Sequence, residues 1–379
     1  MKLKDLKINK QAHNILYDKL KDIKIPNIPL ELNKYEINYY NLKMKLEPNT
    51  RYNLLKDKFN IKEEVEDFNK NWNENVFKME KYFSYLRKLE KYSGINLILY
   101  QKLILSYFIS QNVINDIITR TKKYATVIGN KRNILIFGNS KQEIDLYIHK
   151  TLSALNFFNF FHKNDNDLNL YIFLNDTKKS IPKDNYFTSE HVNTGYSVKG
   201  KYVCIFRKEE FEKVLFHELI HFYNLDIQEY SSFIKKNIPV KFIFNPNEAF
   251  TDFFAIILQI LYISSVSNKK LKDLIYVELG YINSNVKKIM NVPKYNEIED
   301  FLKMDNFNQS TSVFSYYIFK SALFNNIDLL KSMDLFDFKM NYDLLPQSFF
   351  NKKWIELLSE IKYIVSSSSL KMSYISRYL

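Results

Sequence analysis

Apolar positions divide the chain into two stretches of different period. In residues 1–125 they recur at three- and four-residue spacing, through Phe68 to Tyr92 and Ile95 to Thr121, which predicts helices. The prolines in Ile25-Pro26 and Ile28-Pro29 mark an extended start before them. From about residue 126 short continuous runs appear. Asn133 to Gly138 and Leu168 to Leu174 read as buried strands, with a helix from Glu143 to Phe160 between them and a polar loop over 176–190 after them. Val192 to Val198 and Lys201 to Phe206 read as a hairpin turning at Lys199-Gly200. Helical spacing then returns in Phe253 to Ser267, Leu271 to Ile289, Ile298 to Met304, Thr311 to Phe324 and Trp354 to Ser366. The expected organisation is a mostly helical region over 1–125, without a chemical motif, and an α+β domain over 126–379. Residues 126–230 would form an upper α/β half of that domain and 231–379 a lower helical half.

Between the hairpin and the later helices lies Val214-Leu215-Phe216-His217-Glu218-Leu219-Ile220-His221-Phe222-Tyr223. It is apolar almost all round, as a helix inside a domain is. It also contains the pattern HExxH. On a helix, residues four apart share a face, so His217 and His221 can reach one zinc ion with neutral imidazoles. Glu218 can then take a proton from a water beside that ion. The competing reading is two core histidines in hydrogen bonds. Only 6 histidines occur in the chain, so two of them flanking a glutamate at this spacing favours the metal.

A catalytic zinc takes three protein ligands. Downstream, Asn245-Pro246-Asn247-Glu248-Ala249-Phe250-Thr251-Asp252 has a helix-start pattern, with Asn245 as N-cap and Pro246 in the first turn. Glu248 offers a third ligand, and Asp252, one turn on, offers a carboxylate for a ligand histidine's other ring nitrogen. Asn245 with Glu248 is equally a capping-box pattern, in which Glu248 would only tie the helix end.

HELIH at 217–221 with NEAFTD at 247–252 resembles the gluzincins, the thermolysin-like zinc metallopeptidases of the zincin superfamily. The resemblance covers about residues 130–325 and does not reach 1–125. It implies a zincin-like fold, with a small mixed sheet and an active-site helix above a helical lower half. It implies one zinc ion on His217, His221 and Glu248, with Glu218 as catalytic base and Asp252 supporting His217. It further implies that the strand before the hairpin turn, Asn193, Thr194, Gly195 and Tyr196, binds extended substrate along its edge. A downstream Tyr or His stabilises the oxyanion in that family. No histidine follows His221, and Tyr316 and Tyr317 stand at a comparable distance from Glu248.

Composition narrows the setting. Hydrophobic residues make up 46% and charged residues 26%, so the chain is globular. The abundance of Lys, Asn, Ile and Tyr suggests an AT-rich genome, that of a large DNA virus or a parasite. The net charge is +13, and 24 Lys and Arg against 15 Asp and Glu fall in residues 1–125. A basic surface favours an acidic peptide or protein substrate, but no dense basic cluster or nucleic-acid module is present. Cys204 is the only cysteine, so no intrachain disulfide can form; mid-strand it reads as a small buried residue. The start MKLKDLKINK lacks a signal core, and the apolar run Phe253 to Val266 is short for a bilayer. The expectation is an intracellular, cytoplasmic protein, compatible with packaging in a virus particle. No motif fixes a free substrate terminus, which favours an endopeptidase over an exopeptidase. The alternative is a catalytically silent zinc-binding protein that engages partners through its basic N-terminal half.

Overall fold

The computed structural model describes residues 6–26, 29–43, 94–104, 106, 108–129, 131–163, 166–226, 244–305, 307–361 and 369–378. The helices expected over Phe68 to Tyr92 and the end of the one expected over Trp354 to Ser366 lie outside these residues, as does Ile28 of the extended start.

The chain is mixed α/β around one open sheet of order β1-β2-β3-β4-β6-β5. Its strands are β1 (Glu36–Asn41), β2 (Lys123–Gly129), β3 (Arg132–Gly138), β4 (Leu168–Phe173), β5 (Gly195–Val198) and β6 (Tyr202–Ile205). β3, β4 and β6 run parallel, while β1–β2, β2–β3 and β5–β6 are antiparallel pairs. β3 to β6 match the expected strands and hairpin. β1 and β2 correct the helical reading of residues 1–125: β1 pairs along its length with β2, and the expected boundary at 125/126 falls inside β2. The segment Ile95 to Thr121 is also interrupted. It forms α2 (Gly94–Leu99), a π-turn (Tyr100–Ile104) and α3 (Gln111–Arg120).

Both sheet faces are covered, and the period of two decides which residue goes where. Ile134, Ile136, Leu170, Ile172, Val203 and Ile205 enter the main core. It is shared with α1 (Lys10–Leu20), α4 (Lys141–Phe161), α6 (Phe211–Phe222) and α7 (Pro246–Val266). Their neighbours Leu135, Phe137, Phe173 and Cys204 pack on the other face against Val113, Ile114 and Ile117 of α3. Cys204 is thus a buried core residue, as expected. β5, at the end of the sheet order, lies beside α6.

The lower half continues with α8 (Leu271–Asn291), α9 (Ile298–Leu302), a π-turn (Phe314–Phe319), α10 (Lys320–Asn325), α11 (Ile327–Ser332) and α12 (Lys352–Glu360). α7 is long and apolar enough to span a membrane by composition alone, but 83% of its most apolar window is buried in the fold. Helix α1 closes over this half: Lys19 donates to the Met333 carbonyl at 2.8 Å, and His13 Nε2 meets the Lys272 carbonyl at 3.0 Å.

Candidate metal centre

α6 and α7 are in close contact, each largely buried, and both carry polar side chains of the site. His217 and His221, one turn apart on α6, bring their Nε2 atoms to 3.1 Å of each other. From α7, Glu248 Oε2 stands 3.2 Å from His217 Nε2 and 3.4 Å from His221 Nε2. Among the described residues these three form the one cluster able to hold a metal ion. Ligands at about 2.0–2.2 Å from a tetrahedral zinc lie about 3.3–3.6 Å apart. The triangle is therefore close to the size that such an ion needs, and its His₂Glu donor set suits zinc.

The capping reading of Glu248 is set aside by the same geometry. Asn245 does cap α7, but its side chain accepts from the Asn247 amide, while the Glu248 carboxylate faces the histidines.

Each histidine has a carboxylate behind it. Asp252 Oδ1 lies 3.2 Å from His217 Nδ1, near the atom it was expected to support, although the two atoms are not aligned as a hydrogen bond. Asp226 Oδ2 lies 3.1 Å from His221 Nδ1. Asp226 was not foreseen. It sits in the turn after α6, five residues beyond His221, where no periodicity marks it.

Negative groups dominate the centre. Against the lowering effect of burial, Glu248, Asp226 and Glu218 raise His221 well above the usual histidine range. Burial would raise Glu248, but His221 and the hydrogen bonds of both histidines hold it well below the ordinary carboxylate value. Burial instead brings His217 down to about 3, with His221 and Lys213 adding to the effect, so the surroundings favour positive charge at His221 and a neutral ring at His217.

Glu218 lies next to the triangle, and burial pushes its carboxyl up to about 7. Ser197 of β5 hydrogen-bonds to it. Gly195 of the same strand passes so close that a Cβ there would stand 2.9 Å from Val214 Cγ1 and 3.1 Å from Glu218 Cγ. Only glycine lets the edge strand approach the helix this far.

The other edge residues point elsewhere. Tyr196 stacks on Phe108 across the sheet and donates to the Lys102 carbonyl at 2.9 Å. Thr194 is buried, with its carbonyl accepting from the Phe206 amide. Asn193 accepts from Thr311 Oγ1 at 2.9 Å and donates to the Phe108 carbonyl. Gly195 alone of the four faces Glu218, joined by Ser197, which the sequence reading passed over.

The two candidate tyrosines separate. Tyr316 donates its hydroxyl to Glu248 Oε2 at 2.9 Å, with its ring 5.9 Å from that of His217. Tyr317 turns the opposite way, into the core, and donates to the Leu370 carbonyl. It is therefore removed from the site constellation.

The chain is similar to an uncharacterized mimivirus protein. The match, to a protein of Acanthamoeba polyphaga mimivirus, is 26% identical over 278 residues, covering 64% of this chain and 71% of that protein. No family model matches the chain, and no solved structure matches it.

Beneath the centre lies a group of buried charges. Asp252 is contacted by the ammonium of Lys213 and, at 2.5 Å, by that of Lys320. Lys179 pairs with Glu210 at 2.6 Å. Glu210 also accepts from the Ser373 amide, and Glu278 accepts from the Tyr374 and Ile375 amides at 3.0 and 3.2 Å. The segment 369–378 is thereby bound to the floor of the site.

Proposed function

We propose that the protein is a zinc-dependent metallopeptidase of the gluzincin type, with one zinc ion on His217, His221 and Glu248. The observation that carries this reading is the 3.1–3.4 Å triangle of two Nε2 atoms and a carboxylate oxygen beside a buried Glu218. Zinc bound there would polarise the scissile carbonyl and acidify the neighbouring water.

The chain's own residues supply the rest. Glu218, raised towards neutrality by burial, takes the proton of the attacking water and returns it to the leaving nitrogen. Ser197 fixes the orientation of that carboxyl. The Tyr316 hydroxyl, already within the triangle's reach, donates to the oxyanion that develops on the substrate. Tyr316 and Glu218 stand on different elements, so they can address opposite sides of one peptide group. β5, last in the sheet order, offers backbone groups to an extended peptide, and Gly195 lets that strand lie against α6.

The test is cleavage of a diverse peptide library by zinc-loaded protein beside Glu218→Gln, read by mass spectrometry. Cuts made only by the wild type are expected, with zinc retained in both. Equal cutting by the variant, or none by a wild type that holds zinc, would overturn the mechanism; the latter would favour a zinc-bearing binding protein.

A further inference from the structure

Two segments each carry a pair of site residues one turn apart, and the pairs face one another. Glu248 and Asp252 are four apart on α7. Tyr316 and Lys320 are four apart across the π-turn and the start of α10. The first member of one pair meets the first of the other, Tyr316 Oη to Glu248 Oε2 at 2.9 Å. The second meets the second, Lys320 Nζ to Asp252 Oδ2 at 2.5 Å. A single turn of chain therefore sets both a side chain in the site and a side chain one layer behind it. Insertion of a π-turn changes the angular step of a helix, and such turns are frequent where a site needs a side chain aimed out of α-helical register.

The second layer has a specific task. Asp252 is fully buried, and its Oδ1 faces His217 Nδ1 at 3.2 Å. For His217 to present a lone pair at Nε2, its proton must sit on Nδ1, and an ionised carboxylate opposite Nδ1 holds it there. A carboxylate without solvent stays ionised only beside positive charge. Lys320, 1% exposed, gives its ammonium to the oxygen that His217 does not face, and also reaches the Met372 carbonyl at 3.4 Å. Lys213 touches Oδ1, the oxygen that faces His217, and burial lowers both ammoniums, Lys320 to about 8 and Lys213 well below the usual lysine range.

We propose that Lys320 is a positioning residue of the candidate metal centre, acting through Asp252 to hold His217 with Nε2 turned to the cation. The inference rests on the zinc-site reading and adds to it a residue that touches neither metal nor substrate.

The experiment measures zinc affinity of the full chain by chelator competition, with the thermal midpoint of the metal-free protein as a control on folding. Lys320→Met and Asp252→Asn should each weaken zinc about 10- to 100-fold. The double variant should bind no more weakly than the weaker single, because both changes break one chain of contacts. A purely structural lysine would lower the midpoint without this coupling. Wild-type affinity in a folded Lys320→Met, or losses that multiply in the double variant, would overturn the inference and leave the zinc site standing. Should Lys320→Met not fold, Lys320→Gln with Glu278→Gln removes one charge of each sign from the same cluster. It should show the same loss, and unchanged affinity would count against the proposal. A wild type that binds no zinc would overturn the metal-centre reading and this inference together.

Discussion

Tyr316 and Glu248, 68 residues apart in the chain, share a 2.9 Å hydrogen bond, whereas Tyr317, the next residue, is turned away into the core. The two tyrosines should therefore behave oppositely. Tyr316→Phe should retain zinc and lose about 10²- to 10³-fold in kcat. Tyr317→Phe should leave kcat in place and cost about 1 kcal/mol of stability through the lost bond to the Leu370 carbonyl. Peptide turnover and denaturant unfolding of both variants decide it; equal kinetic losses would remove Tyr316 from the mechanism.

Gly195→Ala puts a methyl group 2.9 Å from Val214 Cγ1 and 3.1 Å from Glu218 Cγ. Either β5 or α6 must move. The expected outcome is a loss of about 1–3 kcal/mol together with reduced turnover at intact zinc content. An unchanged melting temperature and rate would show that the strand is not pressed on the helix.

Asp226→Asn takes the carboxylate from behind His221. Zinc affinity should fall about 10- to 100-fold. Affinity equal to wild type, measured by the same competition method, would show that His221 needs no such support.

His191 supplies a pH prediction away from the metal. The residue before helix α5 (Ser189–Val192), Thr188, donates its amide to His191 Nδ1 at 3.0 Å, which requires a neutral ring. Burial lowers the His191 pKa below 6.5, partly offset by Glu190 and Asp184. The stability from this cap is thus complete above about pH 6.5 and is lost as pH falls through the lower folded-state value. His191→Gln keeps a capping side chain that does not titrate. Its acid-unfolding curve should lack this component, and a curve superimposing on wild type would refute the assignment.

Much of the centre was legible because helix spacing converts directly into geometry. Four-residue intervals in HELIH and in Glu248–Asp252 put side chains on one face, and the structure brings those residues together. Asp226 lies in a turn, where spacing carries no such information. Nothing in the sequence pattern marks Lys213 and Lys320 as buried, since lysine ordinarily faces water. β1, Glu36-Ile37-Asn38-Tyr39-Tyr40-Asn41, is half-exposed to exposed along its length, so it lacks the alternation that marks a strand with one buried face. The choice between Tyr316 and Tyr317 turned on a π-turn, whose shift in register no apolar pattern announces.

The docking of α1 bears on how the chain is made. Ala12, Leu16 and Leu20 are buried, and α1 packs on α8 and α11, more than 250 residues later. At about 5–20 residues per second, a ribosome would need about 15–60 s to reach α11 after completing α1. For that interval an amphipathic helix has its apolar side without a native cover. The nascent chain would offer a binding stretch to holdase chaperones, and the last native contact of α1 could form only near the end of synthesis.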